Sequence, residues 1–474
     1  MRVFPGNLVA RRSVLTLAAV SGLLAARPAA ATTYAVDFVA NAATGVAMNE
    51  AGDVVGYAYA VDTCGPWCLP DYNTVVWVAG EETILPDSSS TAAHYVTGMN
   101  ADGWISGYAN FDSPLGIVWK PSTSGYEVIE IGAMSDTTYS DTMGIDDAGR
   151  VLGWTTTGGA IPTAAGAYVW TEADGMQYLG DVGFPDQDAW AISPGGTVAT
   201  QDYWYSLDDA ATINTVTTTP SGYVDYGYGA VINDAGEQAR FLLTTSSSSS
   251  YVYGYRYHTD GTWASIGANG SYYYSYGFGS INDAGDVTGG VSSTAFIAYG
   301  PDGTAQGLAS MVSTAYPSPS LTLAGDMNSS GDILAQMAIG ASYRLVKLTP
   351  VTACTSNCTR VSRLTIRSRF VQDPTRPGSC IEGGTAYNST TVNITVTSET
   401  GAVVRNATVY GRFLDSYYTN TEVSGRTNAR GQLTLANTGN CGVGTVAFLV
   451  DDVVSGTRTL DRTTGTLAAS VVPR

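Results

Sequence analysis

Ile281-Asn282-Asp283-Ala284-Gly285-Asp286-Val287 is one copy of a short turn phrase that recurs seven times in this 474-residue chain. Each copy has an apolar residue, then Asn, Asp or Ser, and then Gly three residues later. The polar position is occupied in the other six copies by Asn49, Asn100, Asp146, Ser193, Asn233 and Asn328. Successive polar positions lie 51, 46, 47, 40, 49 and 46 residues apart. The chain is therefore built from repeats of about 46 residues.

The turn phrase has the composition of a β-hairpin turn. Its polar side chain can accept hydrogen bonds from nearby backbone N–H groups, and its Gly supplies a positive φ. Alternating runs such as Val75-Val76-Trp77-Val78 and Tyr126-Glu127-Val128-Ile129 indicate further strands in each repeat. Four short antiparallel strands form one propeller blade. We therefore predict an all-β protein with a seven-bladed β-propeller over residues 32–348; an open β-solenoid or an unclosed array is the alternative.

The two ends of the repeat region predict a closed ring. Residues 34–39 align with the fourth strands of the repeats, yet they precede the first turn phrase. Residues 343–348 align with third strands and end the seventh repeat. We expect the N-terminal strand to complete the last blade, since this pairing removes an exposed sheet edge.

The repeats also resemble a known family. The phrases Ser280-Ile281-Asn282-Asp283-Ala284-Gly285-Asp286-Val287, Ala167-Tyr168-Val169-Trp170 and Met176-Gln177-Tyr178-Leu179-Gly180 are similar to those of bacterial "probable extracellular repeat" or HAF-repeat proteins. The resemblance covers roughly residues 34–348, although the His-Ala-Phe sequence that names the family is absent. It implies a secreted, propeller-like repeat protein, and it brings no catalytic residues.

A second domain is predicted after the repeats. Alternating runs continue there, such as Val392-Asn393-Ile394-Thr395-Val396 and Val446-Ala447-Phe448-Leu449-Val450. Short strands separated by turns predict an immunoglobulin-like β-sandwich over residues 364–474. This region resembles the Ig-like accessory modules of bacterial secreted hydrolases and adhesins. Residues 349–363, which include Pro350, are predicted to be a linker.

Residues 1–31 have the organisation of a secretory signal peptide. Arg2, Arg11 and Arg12 precede the apolar residues 14–24, and Ala29-Ala30-Ala31 suits cleavage. The apolar run is shorter than the roughly 20 residues of a membrane-spanning helix. We expect a secreted or periplasmic protein with no transmembrane segment; a membrane anchor is the alternative. Arg11-Arg12-Ser13-Val14-Leu15 also resembles a twin-arginine motif, so the export route stays open.

All six cysteines follow residue 31, and an even number outside the cytosol predicts disulfides. Two pairs are close in sequence and the third lies within one predicted domain: Cys64/Cys68, Cys354/Cys358 and Cys380/Cys441. Three residues separate Cys64 from Cys68, whereas a thioredoxin-type redox motif has two. We therefore expect a disulfide that staples a loop.

Charge is distributed unevenly along the chain, whose formal net charge is −19. Residues 32–343 contain 33 Asp and Glu but only four Lys and Arg, whereas residues 344–474 contain eight acids and 14 bases. We expect no nucleic-acid partner, because phosphate binding depends on Lys and Arg. The acidic repeats favour cations or neutral glycans, and the basic C-terminal domain favours an anionic surface.

Motifs for catalysis are scarce. His94 and His258 are the only histidines, and no Gly-x-Ser-x-Gly motif occurs, so neither a serine triad nor a zinc site is expected. A sialidase needs an arginine cluster, and between Thr32 and Ser342 there are only Arg150, Arg240 and Arg256. No cofactor is predicted. Calcium stays open without a motif behind it, since carboxylates and turn carbonyls are available.

Aromatic side chains are the remaining functional resource, because Tyr and Trp can stack on sugars or pack against proteins. The alternative is that they fill cores between blades. The candidate ligand-binding residues are Tyr57, Tyr108, Trp154, Tyr226, Tyr228, Tyr273 and Tyr274.

Two functions are compatible with these features. The leading hypothesis is a secreted, non-catalytic binding or surface protein that recognises a carbohydrate or protein ligand outside the cell. The rival is a secreted carbohydrate-active enzyme, a glycoside hydrolase or polysaccharide lyase with an Ig-like accessory domain. Two carboxylates converging in the central channel would favour the enzyme. Ligand identity and oligomeric state stay open.

Overall fold

The computed structural model describes residues 32–473 with several internal gaps. The gaps are residues 42–43, 60–71, 89–93, 110–114, 135–136, 157–163, 182–188, 210, 226–229, 245–250, 272–275, 318, 341, 373–385, 416–419 and 441–443. Within the described residues the chain is all-β, with one short 3₁₀ helix at Leu308–Ser310. No helix in these residues is long and apolar enough to cross a membrane.

Residues 33–351 form seven small antiparallel sheets, which are numbered in chain order. Sheet 1 consists of Thr44–Met48, Val54–Tyr59, Tyr72–Val78 and Glu81–Ile84. Sheet 2 consists of His94–Met99, Ile105–Ala109, Leu115–Ser122 and Gly125–Gly132. Sheet 3 consists of Tyr139–Ile145, Val151–Thr156, Ala164–Thr171 and Gly175–Tyr178. Sheet 4 consists of Ala189–Ile192, Thr197–Thr200, Tyr203–Ser206 and Ile213–Thr215.

Sheets 5 to 7 continue the series. Sheet 5 consists of Tyr223–Asp225, Val231–Ile232, Gln238–Thr244, Tyr251–Tyr257 and Trp263–Ser271. Sheet 6 consists of Tyr276–Ile281, Val287–Val291, Thr294–Ala298 and Gln306–Gly307. Sheet 7 consists of Ser320–Met327, Ile333–Ile339, Ser342–Val351 and Thr33–Asn41. This succession of small antiparallel sheets is propeller-like.

All seven turn phrases adopt the same conformation. In each, the side-chain oxygen of the polar residue accepts a hydrogen bond of 2.8–2.9 Å from the backbone N–H four residues later. The N–H of the Gly donates to the carbonyl of the same polar residue. The φ angles of the seven glycines lie between +76° and +89°. The predicted turn chemistry is confirmed, including that of the degenerate copy at Ser193.

Apolar clusters lie between neighbouring sheets throughout the described part of residues 33–351. A further cluster joins the last sheet to the first, where Leu334 and Leu345 pack with Val54 and Trp77. Strand Thr33–Asn41 pairs antiparallel with Ser342–Val351, with Val36 opposite Leu348. This pairing confirms the prediction that the N-terminal strand completes the last sheet.

Residues 358–471 form two further four-stranded sheets. Sheet 8 contains Gln432–Asn440, Ala386–Ser398, Cys358–Gln372 and Thr459–Leu460, and sheet 9 contains Asn420–Arg426, Thr408–Asp415, Val446–Val454 and Ala468–Val471. Both sheets contribute to one apolar core. Strands Ser342–Val351 and Cys358–Gln372 extend into the predicted linker from its two sides. The predicted Cys354–Cys358 disulfide is present between them.

Sheets 8 and 9 are anchored on the same strand that completes sheet 7. The Arg462 guanidinium contacts the carboxylate of Asp37 at 2.7 Å and donates to the carbonyl of Val36 at 2.8 Å. The Arg412 guanidinium stacks over the Phe38 ring at 4.3 Å from its centroid. The apolar cluster that contains Val36 also extends into both sheets.

Replacing the turn glycine tests whether its backbone conformation is required. Gly103 has a φ of +79°, and a Cβ there would meet no atom closer than 3.4 Å, so Gly103→Ala adds backbone strain without a severe clash. We expect the free energy of unfolding to fall by about 1–2 kcal/mol. Denaturant-induced unfolding, followed by tryptophan fluorescence, measures the change.

Gly307→Ala is the matched control. Gly307 has a φ of −66° and open space around its Cβ position. We expect its unfolding free energy to be unchanged or slightly higher, and equal losses in both variants would contradict the assignment.

Candidate functional site

Tyr57, Tyr108 and Trp154 occupy the same position in three consecutive sheets. Each lies eight residues after the polar residue of its turn phrase, near the end of the second strand. All three side chains are half-buried. The Tyr57 hydroxyl accepts a 2.6 Å hydrogen bond from the backbone N–H of Val96, so it bridges sheets 1 and 2.

Two residues that sequence reasoning missed complete this aromatic patch, which we define as Tyr57, Tyr95, Tyr108, Asp141 and Trp154. Tyr95 lies opposite Tyr108, and their rings stack with centroids 5.0 Å apart. Asp141 lies opposite Trp154 in sheet 3. Hairpin register could have found both, since each lies five residues before its turn phrase's polar position.

The electrostatics of the aromatic patch reflect partial removal from water. Burial raises the pKa of Asp141 to about 6, although the Trp154 indole and the Thr142 backbone N–H act in the opposite direction. Burial also raises the pKa of Tyr57 and of Tyr108 to about 12, and the charge of Asp141 adds to the shift at Tyr108. Tyr57 and Tyr108 therefore present neutral phenols beside the carboxyl group of Asp141.

A cavity of about 640 Å³ lies among the seven sheets, at the other end of their first strands. Every sheet contributes the residue two positions before the polar residue of its turn phrase: Ala47, Gly98, Gly144, Ala191, Val231, Ser280 and Asp326. From Asp141 to Ile145, where the strand ends, the chain advances four residues, or roughly 13 Å of extended strand. The aromatic patch and the turn phrases around the cavity are thus separate surfaces.

Carboxylates around this cavity connect successive sheets. The carboxylate of Asp147 accepts a hydrogen bond from the backbone N–H of Ala101 at 2.9 Å, and that of Asp234 accepts one from Gly195 at 2.7 Å. The carboxylate of Asp283 accepts a hydrogen bond from the backbone N–H of Asp234 at 3.2 Å, and that of Glu50 accepts one from Ser329 at 3.0 Å. Each bond runs from one turn phrase to the carboxylate of the next, and the last runs from sheet 7 to sheet 1. These carboxylates have a structural role.

Asp326 is the deepest acid of the cavity. It accepts from the backbone N–H of Met48 at 3.0 Å, and burial raises its pKa to about 6. Burial and the nearby charge of Asp234 also raise the pKa of Asp283. Among the described residues, no group of three or more His, Cys, Asp or Glu is placed to hold a metal ion.

The three arginines between Thr32 and Ser342 make separate contacts, each between neighbouring sheets. Arg150 contacts the carboxylate of Asp208 at 2.5 Å. Arg240, with only 1% of its surface exposed, donates to the carbonyl of Thr200 at 2.8 Å. Arg256 donates to the carbonyl of Gly285 at 2.6 Å. They form no common anion site.

His94 forms a contact set that the sequence did not reveal. Its Nε2 lies 3.1 Å from the Ser88 hydroxyl, and its Nδ1 lies 3.4 Å from an Asp87 carboxylate oxygen. The backbone N–H of Ser88 also donates to Nε2 at 3.0 Å, so it occupies the lone pair that would accept a nucleophile's proton. Ser88 and His94 are each only 7% exposed. These contacts stabilise the segment that connects sheets 1 and 2.

The Nδ1 atom of His258 lies 3.3 Å from a carboxylate oxygen of Glu237.

Several residues singled out from the sequence lie outside the described ranges. They are Tyr226, Tyr228, Tyr273 and Tyr274 among the ligand-binding candidates, and Cys64, Cys68, Cys380 and Cys441 among the disulfide candidates.

Comparison with known proteins finds similarity only among solved structures. No family model and no curated protein matches the chain. Prolyl oligopeptidase B from Galerina marginata is 8% identical, with a TM-score of 0.33 over 76% of this chain and 55% of that one. This chain thus spans about half of that protein's length.

Two other solved structures match at a similar level. The extracellular domain of a hybrid two-component system from B. thetaiotaomicron is 8% identical, with a TM-score of 0.29 over 91% of this chain and 69% of that chain. An exo-beta-1,3-galactanase from Phanerochaete chrysosporium is 11% identical, with a TM-score of 0.25 over 88% of this chain and 98% of that chain. Matches at this level carry no argument about activity.

The pKa of Asp141 makes a testable contribution to stability. Because the folded-state pKa is raised to about 6, the stabilising contribution of Asp141 is present at low pH and is lost as the pH rises through 6. Asp141→Asn should therefore unfold with a free energy higher by about 1 kcal/mol at pH 8, after allowing for partial exposure. The gain should disappear near pH 4.

Denaturant titrations across that pH range measure the difference. Asp102→Asn removes the same charge from an exposed residue outside the aromatic patch. This variant is the control for the loss of one negative charge. A pH-independent difference for Asp141→Asn would show that the carboxyl group is not destabilised by burial.

Proposed function

We propose that this chain is a secreted binding protein of the HAF-repeat type, with a closed seven-bladed propeller and a C-terminal Ig-like module. The seven recurring turns, the apolar clusters between neighbouring sheets and the pairing of Thr33–Asn41 with Ser342–Val351 support the closed propeller. Two facing sheets with a common core support the Ig-like module. The basic, apolar and small-residue order of residues 1–31 supports export to the periplasm or the exterior.

The ligand we propose is a carbohydrate that binds at the aromatic patch. The stacked pair Tyr95–Tyr108 carries this proposal, since aromatic rings can pack against the apolar faces of a sugar. Asp141 lies beside these rings and can accept hydrogen bonds from sugar hydroxyls. Tyr57 and Trp154 extend the surface on to the neighbouring sheets.

The alternative is a carbohydrate-active enzyme, and the carboxyl group of Asp141 is the observation that favours it. A pKa near 6 suits a general acid in glycoside cleavage. The cavity acids Glu50, Asp147, Asp234 and Asp283 favour binding without catalysis instead, because each accepts a backbone hydrogen bond from a neighbouring turn phrase.

A glycan array with the mature protein tests the carbohydrate proposal, followed by titration calorimetry with the best glycan. Tyr108→Ala removes one stacked ring and should weaken binding about three- to tenfold, as expected for loss of an aromatic contact. Tyr108→Phe keeps the ring and should bind nearly as wild type. Tyr410→Ala changes an exposed tyrosine of sheet 9, 46% exposed, and should leave affinity unchanged.

Release of reducing sugar from the bound glycan separates the two functions. The binding protein should release none, whereas turnover that Asp141→Asn abolishes would establish the enzyme. Equal losses of affinity in Tyr108→Ala and Tyr410→Ala would place the ligand elsewhere. Binding to no glycan on the array would overturn the carbohydrate proposal and leave a protein ligand.

A further inference from the structure

The outward face of sheet 8 carries a row of arginines. Arg363, Arg367 and Arg369 are exposed on strand Cys358–Gln372, while Leu364 between them is buried in the core. Strand geometry places Arg367 about 13 Å from Arg363 and about 7 Å from Arg369. The three cations therefore extend along one strand and do not surround a single pocket.

Polar side chains continue this face across the sheet. Thr395, Thr391 and Ser389 lie opposite Arg363, Arg367 and Arg369, respectively. Thr434, on the third strand, is hydrogen-bonded to Asn393 at 2.8 Å. No Asp or Glu lies at the outward positions of these three strands within the described residues. The result is a basic surface rich in hydroxyl groups, which we call the basic face.

Ion pairing distinguishes these arginines from their neighbours. Four other arginines of the same region each contact an acid: Arg360 with Asp461, Arg412 with Asp451, Arg458 with Glu399 and Arg462 with Asp37. Arg363, Arg367 and Arg369 form no ion pair with the described residues. Within the described residues, these three guanidinium groups have no acidic partner, so they are available to an external anion.

We propose that the basic face binds an acidic polysaccharide. A row of cations along one strand fits an extended polymer that carries carboxylate or sulfate groups at intervals, and the surrounding hydroxyl groups can bond to its sugars. Residues 32–343, with 33 acids and four bases, repel such a polymer and therefore favour its binding to the C-terminal sheets. The basic face is therefore a second binding surface, independent of the aromatic patch.

Binding of the mature protein to immobilised polygalacturonate and dextran sulfate tests the proposal, with dextran as the neutral control. Wild type should bind at least one polyanion, and rising salt should weaken the binding. Arg367→Gln/Arg369→Gln should bind about tenfold more weakly, since two ionic contacts are removed. The polymer that binds more tightly distinguishes carboxylate from sulfate recognition.

Arg405→Gln/Arg426→Gln is the matched control, because it removes the same charge from exposed residues outside the basic face. It should bind as wild type, and so should Tyr108→Ala, whose change is confined to the aromatic patch. Absence of polyanion binding, or equal losses in the two arginine double variants, would overturn the proposal. Equally tight binding to duplex DNA or to phosphatidylglycerol vesicles would also overturn it, because either would show recognition of charge alone.

Discussion

The hydrogen bond from a polar side chain to the backbone N–H four residues later is the interaction on which the rest of this structure depends. It occurs in all seven turn phrases, and Gly at positive φ makes each of these turns accessible without strain. In each sheet the turn reverses the chain between the two strands that flank it and aligns the second of them with the first. It also places the residue after the polar position where it can contact the next sheet. One local motif thus sets both the hairpin and the spacing between sheets.

Some of the acidic residues of the repeats have a structural role in this arrangement. Glu50, Asp147, Asp234 and Asp283 accept backbone N–H groups from adjacent turn phrases, so part of the negative charge connects one sheet to the next. The aromatic patch lies at the opposite end of the first strands, away from these bonds. Strand Thr33–Asn41 adds a further constraint, because it completes sheet 7 and also anchors sheets 8 and 9 through Asp37. Perturbing this strand is therefore expected to affect both regions of the chain.

Much of the fold could be predicted because the turn phrase and the alternation of apolar residues are local signals. The seven turns, the pairing of the first strand with the last sheet and the Cys354–Cys358 disulfide are all found. The candidate site was predicted only in part. Tyr57, Tyr108 and Trp154 share a repeat position and could be singled out, whereas Tyr95 and Asp141 become relevant only through cross-strand register. No sequence motif indicates the contacts of His94 with Ser88 and Asp87, because the three residues are neither at a known spacing nor on one strand.

The sequence by itself determined the repeat, the conformation of its turns and which face of each strand is apolar, because these properties arise between residues close together in the chain. Only the tertiary structure decided which side chains from different repeats meet. Asp326 accepts a hydrogen bond from Met48, 278 residues away, and Arg462 contacts Asp37 across an even longer separation. Such contacts depend on how the sheets are arranged around one another, and no spacing in the sequence encodes them. The aromatic patch is a surface of this kind, since its side chains come from strands of three sheets, whereas the three arginines of the basic face lie on one strand.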